Sequence, residues 1–313
     1  MNDQKSNWWM AVGVASLFGL KKLFIWNYGF NPDLGHEFEN LLDVIQGRTP
    51  YKDFVWIYGP FCLYYYFMLY KVFGILGIYV TQITVAVFGA LACYYAFKAA
   101  NLVLSPLWAT VASLLAFSSL VAPVHVSGHI FSIMSFIAAL YYVLLYVEHG
   151  RERALLIAGL FCGLSLLNKP IHYGGASVIG GTVTIVLNDF FYNRRKLKTV
   201  FTFLLSAAIL PLLAYGSLLL VVPIQSLFYN VFPMYSGYFN KPNTFFYLKD
   251  IFPFGIFSSR SFAEAKAILN VFLGDSLRWW LIWFMAIGGM VKVLAMYVKE
   301  KTISKAQIIL FSL

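Results

Sequence analysis

The feature that most constrains this chain is a succession of apolar stretches that occupies most of its length. A helix needs about 20 apolar residues to cross the hydrocarbon core of a bilayer. Eight stretches are candidates, two of them short: Trp8–Trp26, Ile75–Phe97, Leu102–Val121, Ile130–Val147, Ala154–Leu167, Gly174–Leu187, Val200–Val222 and Trp279–Val298. The pattern predicts an all-α polytopic membrane protein with about eight transmembrane helices.

The composition agrees with this prediction. Hydrophobic residues make up 60% of the chain and charged residues 12%, whereas soluble domains average roughly 45–50% and 25%. A soluble protein could not bury so much apolar surface, and a disordered or coiled-coil chain is excluded too. Cys62, Cys93 and Cys162 lie far apart without a CxxC pair, which argues against a disulfide framework and a zinc site.

The net charge of +10 points to a bilayer rather than to nucleic acid, because the basic residues lie in short breaks between apolar runs. This is the positive-inside pattern. Phe61–Phe73 decides the topology, since it is either a short span or a helix lying flat in the interface. The flat arrangement puts Arg151, Arg194 and Lys299 on the same side as the N-terminus, so we favour it. We expect a multi-pass protein of the plasma (inner) membrane.

This topology places two large regions outside the cytoplasm, 27–74 and 223–278. We treat 1–313 as a single transmembrane module. The chain ends in an apolar run, 308–313, that is too short to span, which predicts C-terminal truncation. A charge and a proline at Lys169-Pro170 interrupt the apolar pattern, and we expect a helical hairpin with its turn at Lys169 on the outer face.

The first outer loop carries most of the polar chemistry. Asp33 and Glu37 are four residues apart, so on a helix they share a face. Leu34, Phe38, Leu41, Leu42 and Ile45 form an apolar stripe, which predicts an amphipathic helix lying on the membrane. From local sequence alone, Asp33 is either an N-cap or a functional acid. The loop continues through Gly47-Arg48-Thr49-Pro50-Tyr51-Lys52-Asp53-Phe54 to Tyr58-Gly59-Pro60.

The succession of an aspartate, a helix, G-x-x-P-Y-x-D-F and Y-G-P resembles the first outer loop of GT-C glycosyltransferases. These include protein mannosyltransferases and lipid A aminoarabinose transferases. Gly163-Leu164-Ser165-Leu166-Leu167-Asn168-Lys169 is similar to the G-L-A-x-L-x-K motif of that family. The resemblance covers about residues 8–220. It implies a GT-C-like fold and transfer of a sugar from a polyprenyl-phosphate carrier to a protein, lipid or glycan acceptor outside the cytoplasm.

The resemblance implies that Asp33 is catalytic, and transfer from a sugar phosphate needs a base and groups that hold the departing phosphate. Asp33 is our candidate base. Glu37 is either a second acid or a surface charge, and Lys169 is either a phosphate ligand or a snorkelling turn residue. Further candidates for the donor phosphate are His172 and Arg48. Candidate substrate contacts are His36, Tyr58, His125, His129 and Tyr173.

Other readings of the sequence remain open. His125 and His129 could hold a metal with Glu37 on a helix, but Pro123 and Gly128 argue against a regular helix there. We therefore expect no metal or other cofactor, and two loop histidines that bond substrate or water. A transporter or flippase of lipid-linked glycans should carry charges at mid-span positions, and these spans have few. A non-catalytic envelope-assembly subunit should tolerate an amide at Asp33.

Overall fold

The computed structural model describes residues 8–24, 32–102, 104–120, 127–192 and 197–231. The chain divides at Val231 into two units, and all the described residues belong to the first. That part of the chain is predominantly helical. Its helices are α1 (Trp8–Phe24), α2 (Pro32–Ile45), α3 (Pro60–Phe73), α4 (Leu76–Ala100), α5 (Pro106–Leu120), α6 (Ser127–His149), α7 (Glu152–Leu166), α8 (Ala176–Phe191), α9 (Leu197–Leu218) and α10 (Ile224–Val231), with a π-helical turn at Pro170–Gly175.

Among the described residues, three helices are long and apolar enough to cross a membrane. They contain the stretches Tyr79–Ala100, Gly128–His149 and Leu197–Leu218, and the shorter apolar stretch Trp9–Leu20 lies in α1. The predicted span Ile75–Phe97 corresponds to α4 and Ile130–Val147 to α6. The chain therefore has the character of a helical membrane protein. The predicted span Trp279–Val298 lies outside the described residues, as does most of the loop predicted at 223–278.

The predicted helical hairpin is confirmed at its turn. α7 ends at Leu166, and the π-helical turn starting at Pro170 leads directly into α8. The two helices fold back on each other, because a Cβ on Gly174 would lie 2.6 Å from the Cα of Leu166. One helical turn further in, Ser177 hydrogen-bonds Cys162. Lys169 therefore lies at the tip of the hairpin.

α7 packs closely against α9 through two glycines one helical turn apart. A Cβ on Gly159 would lie 2.6 Å from the carbonyl oxygen of Phe203, and one on Gly163 would lie 2.7 Å from that of Ala207. Small residues at this spacing let membrane helices approach closely. Gly163 opens the motif that ends at Lys169, and its role in the fold is this helix contact.

The first loop is folded onto the helix bundle around a core of its own. Buried side chains from α2, the following loop, α3, α6, α9 and α10 form it: Leu41, Val44, Tyr51, Trp56, Cys62, Leu63, Tyr66, Phe131, Leu218, Val222, Leu227 and Val231. One member of the predicted apolar stripe, Leu42, is 57% exposed, whereas Val44 is buried. The face of α2 that packs on the protein is therefore rotated from the predicted stripe and includes Glu37.

Candidate functional site

The segment from Tyr51 to Gly59 is held in shape by two buried aromatic side chains. The Tyr51 hydroxyl donates to the carbonyl oxygen of Tyr58 at 2.7 Å. The Trp56 indole N–H donates to that of Gly59 at 3.0 Å. Burial raises the pKa of Tyr51 well above its usual value, so its hydroxyl remains a donor at neutral pH. The carbonyl groups of the Tyr58-Gly59-Pro60 motif are thereby fixed from within the loop.

This motif contacts the tip of the hairpin through the backbone. The Gly59 N–H donates to the Asn168 carbonyl oxygen at 2.8 Å, and the Phe61 N–H donates to that of Leu167 at 3.0 Å. A Cβ on Gly59 would overlap the Leu167 carbonyl group, so only glycine allows this approach. The two segments that carry the family resemblance are joined here, although more than 100 residues separate them in the sequence.

Lys169 is the buried cation at this junction, only 8% exposed. Its ammonium group hydrogen-bonds His129 Nε2 and lies 4.3 Å from the centroid of the Tyr58 ring. The ring of Tyr173 meets the His129 ring edge-on, with centroids 6.2 Å apart. His129, predicted to lie in a loop, is in the first turn of α6, because the helix begins at Ser127 despite Gly128.

Glu37 is a buried acid and not a surface charge, since it is 1% exposed. The Tyr66 hydroxyl donates to Glu37 Oε2 at 3.0 Å. A Cβ on Gly128, the residue before His129, would lie 3.5 Å from Glu37 Oε1. The alternative of a surface charge is therefore wrong: the rotation of α2 turns this carboxylate inward.

The thiol of Cys62 shows that Glu37 and Lys169 belong to one electrostatic environment. Burial raises the pKa of Cys62 well above its usual value, and the negative charge of Glu37 raises it further. A hydrogen bond with Tyr66 and the positive charge of Lys169 act in the opposite direction. A carboxylate from the first loop and an ammonium from the hairpin tip thus both lie near this thiol.

For two predicted site residues, Asp33 and His172, the structure describes the backbone only, and a third, His125, lies outside the described residues. α2 begins at Pro32, so Asp33 lies in its first turn, one turn before Glu37, rather than at the cap position. His172 lies in the π-helical turn that follows Lys169. The side chains of Asp33 and His172 lie outside the described part of the structure, and so does the whole of His125.

Two further candidates, Arg48 and His36, have exposed side chains that pair with acids of α2. Arg48 follows the C-terminal end of α2 and pairs with Asp43 at 2.9 Å on the surface. The helix rises roughly 12 Å from Glu37 to its C-terminal end, so Arg48 and Glu37 lie at different levels along the axis of α2. His36 is exposed and lies 3.9 Å from Glu39. The predicted contacts of Arg48 and His36 with phosphate and substrate remain predictions.

Sequence reasoning missed four residues that build this site. Tyr66 and Cys62 are one helical turn apart on α3, and both face Glu37. The run Tyr64-Tyr65-Tyr66 is typical of a helix at the membrane interface, and the sequence does not indicate which of the three side chains faces inward. Tyr51 and Trp56 belong to the first-loop motif, but their hydrogen bonds to backbone carbonyl groups leave no pattern in the sequence.

The site combines a buried acid, a buried ammonium and several aromatic rings. Within the described residues, no group of three or more histidine, cysteine, aspartate or glutamate side chains could hold a metal ion. Such a combination can bind an anion and accept a proton near it. Comparison with protein-family models, curated proteins and solved structures finds no match for this chain. Its function is therefore inferred from the site.

Proposed function

We propose that this protein is a membrane glycosyltransferase of the GT-C kind. It would move a sugar from a polyprenyl-phosphate carrier to a protein, lipid or glycan acceptor. We further propose about eight transmembrane helices and a plasma-membrane location, with the site on the extracytoplasmic face. The basic breaks between apolar runs support that orientation.

One observation carries the proposal: the two segments that resemble the family meet. Backbone hydrogen bonds join Gly59 and Phe61 to the hairpin tip, and this contact puts Lys169 against the Tyr58 ring. Glu37, from the helix that Asp33 opens, acts on the same thiol as Lys169. A sugar-phosphate transferase needs a cation that holds the phosphate and an acid that takes up a proton in the same site.

The proposed reaction is a direct displacement at the anomeric carbon. Asp33 takes the proton from the acceptor hydroxyl, and the acceptor oxygen forms a bond to the anomeric carbon. The bond from that carbon to the phosphate oxygen breaks, its electron pair stays on the phosphate, and polyprenyl phosphate leaves. Lys169 stabilises the charge on the departing phosphate. The anomeric configuration inverts.

The donor is identified first. Mass spectrometry of lipid-linked sugars and envelope glycans compares cells with and without the gene. Loss of the enzyme should cause one polyprenyl-phosphate sugar to accumulate and one glycan to lose a residue. That sugar then serves as the donor for the full chain purified in lipid nanodiscs, and transfer is followed by mass spectrometry.

Variants of Asp33 and Lys169 separate their roles. Asp33→Asn should lower turnover by roughly 10²–10⁴, the usual weight of acid–base catalysis, with donor binding little changed. Lys169→Ala should weaken donor binding and turnover together, because the phosphate is charged before and after transfer. Asp53→Asn is the matched control, since its carboxylate only accepts the Thr49 N–H in an exposed turn.

The alternatives predict other outcomes. A structural assembly subunit tolerates Asp33→Asn, because loss of one carboxylate in the first turn of a helix costs only about 0.3–1 kcal/mol, and it transfers no sugar. A flippase moves the lipid-linked glycan across a vesicle membrane without changing it. Wild-type turnover in the Asp33→Asn variant would end its assignment as the base and shift that role to Glu37.

A further inference from the structure

The inference concerns the residue that holds Lys169 in place, and it rests on the proposed function. Lys169 Nζ hydrogen-bonds His129 Nε2 and lies over the face of the Tyr58 ring. An ammonium group has only N–H donors, so the imidazole nitrogen that meets it must accept. His129 is then neutral, with its proton on Nδ1.

We infer that His129 is the positioning residue of the phosphate site. By accepting one N–H of Lys169, it fixes the ammonium over the Tyr58 ring and directs the remaining N–H groups elsewhere. A long, flexible lysine side chain would otherwise adopt many rotamers. The Tyr173 ring packs perpendicular to the imidazole, and α6 supplies a rigid base for it from the first turn onward.

This role requires an uncharged imidazole. When the imidazole is protonated at acidic pH, Nε2 carries a hydrogen and can no longer accept from Lys169. Two adjacent cations then repel each other, and Lys169 leaves the Tyr58 ring. Groups from several elements face this pair: Glu37 from α2, Cys62 and Tyr66 from α3, Tyr58 from the loop and Tyr173 from the π-helical turn.

Acylation of Lys169 reports its position without any need for sugar transfer. The full chain in nanodiscs is treated with an amine-specific acylating reagent, and the rate at Lys169 is divided by the rate at exposed Lys71. In the wild type this ratio should be low at neutral pH and should rise severalfold at acidic pH, once the imidazole is protonated. His129→Gln keeps an acceptor at every pH, so its ratio should stay low and flat.

His129→Phe keeps a ring without an acceptor, and its ratio should be high and flat. The same variant should raise the KM for the polyprenyl-phosphate sugar by about tenfold or more, as expected when a hydrogen bond to a charged group is lost. His129→Gln should restore most of that KM. His149→Gln, an exposed histidine at the far end of the same helix, is the control and should behave like the wild type.

The outcomes separate this inference from the proposed function. A wild-type ratio that does not change with pH, or a glutamine variant that behaves like the phenylalanine variant, overturns the positioning role even if sugar is transferred. Acylation is also measured with polyprenyl phosphate present, which should protect Lys169 if it binds the donor. If the ratios are as expected but no sugar is transferred and no protection is seen, the positioning role is supported and the proposed donor is rejected.

Discussion

At the scale of single residues, the burial of Glu37 has the largest consequence. Burying a carboxylate is costly unless it is hydrogen-bonded or paired, and here Tyr66 donates to it within reach of the Lys169 charge. An acid whose only role was to keep the helix surface polar would be exposed to solvent, as Glu39 is. Glu37 is therefore placed to act on whatever binds beside Lys169.

We predict that Glu37→Gln lowers transfer by about tenfold or more, because Glu37 is the second acid that binds the acceptor and a hydrogen bond to a charged group is lost. The substitution keeps the shape and an acceptor for the Tyr66 hydroxyl, so folding should be retained. Glu39→Gln makes the same chemical change two residues away on the exposed face and should leave transfer unchanged. The measurement is turnover with the identified donor, and equal turnover in the two variants would contradict the role of Glu37.

The thiol of Cys62 gives a second prediction at this scale. Because burial and the charge of Glu37 raise its pKa, the unreactive thiol form persists to higher pH than in an exposed cysteine. We expect alkylation of Cys62 by iodoacetamide at pH 8 to be at least tenfold slower in the folded chain than in detergent-denatured chain. Equal rates, measured by mass spectrometry of the labelled peptide, would show that the cluster is open to solvent.

At the scale of elements, the contact between the first loop and the hairpin tip depends on Gly59. A methyl group at this position would overlap the Leu167 carbonyl, and overpacking typically costs 1–3 kcal/mol. Gly59→Ala should therefore lower thermal stability, followed by size-exclusion chromatography after heating, and should separate Tyr58 from Lys169.

Gly35→Ala is the control for Gly59→Ala. Nothing lies within 4 Å of a Cβ at Gly35, and alanine in a helix is more favourable than glycine by roughly 0.5–1 kcal/mol. We expect this variant to be as stable as the wild type or more so. If both variants unfold at the same temperature, the backbone contact at Gly59 contributes little to the fold.

The elements themselves were predictable, because their signals are local. The charge and proline at Lys169-Pro170 correctly indicated the end of α7 and the hairpin turn. The direction in which α2 faces was not predictable from an apolar stripe alone. Leu42 belongs to that stripe but is exposed, whereas Glu37 is buried because Tyr66, from another helix, supplies its hydrogen bond.

The site was predictable only in part of its membership. Motifs pointed to Lys169 and Tyr58, and a shared outer face suggested that they approach each other. The pairing of Lys169 with His129 had no signal, because Gly128 argued against the helix that carries the histidine. Arg48 looked like a phosphate ligand by its position in a motif, but Asp43 one turn earlier provides a nearby partner.

At the scale of the whole molecule, α7 links the site to the opposite end of the hairpin. Its 15 residues, Glu152–Leu166, rise about 22 Å, most of the hydrocarbon thickness of a bilayer. Lys169 lies at one end of α7 with the first loop, and Arg153 lies at the other. If α7 crosses the membrane, the first loop and Arg153 are on opposite sides.

Cysteine labelling tests this arrangement directly, because the native cysteines Cys62, Cys93 and Cys162 are all buried and should not react with an impermeant maleimide in intact cells. Lys52 and Arg153 are both exposed, so each can be replaced by cysteine without disturbing the core. We expect Lys52→Cys to be labelled in intact cells and Arg153→Cys only after permeabilisation, since basic residues stay on the cytoplasmic side. Labelling of both variants in intact cells would show that α7 does not cross the membrane, and labelling of Arg153→Cys alone would place the site in the cytoplasm.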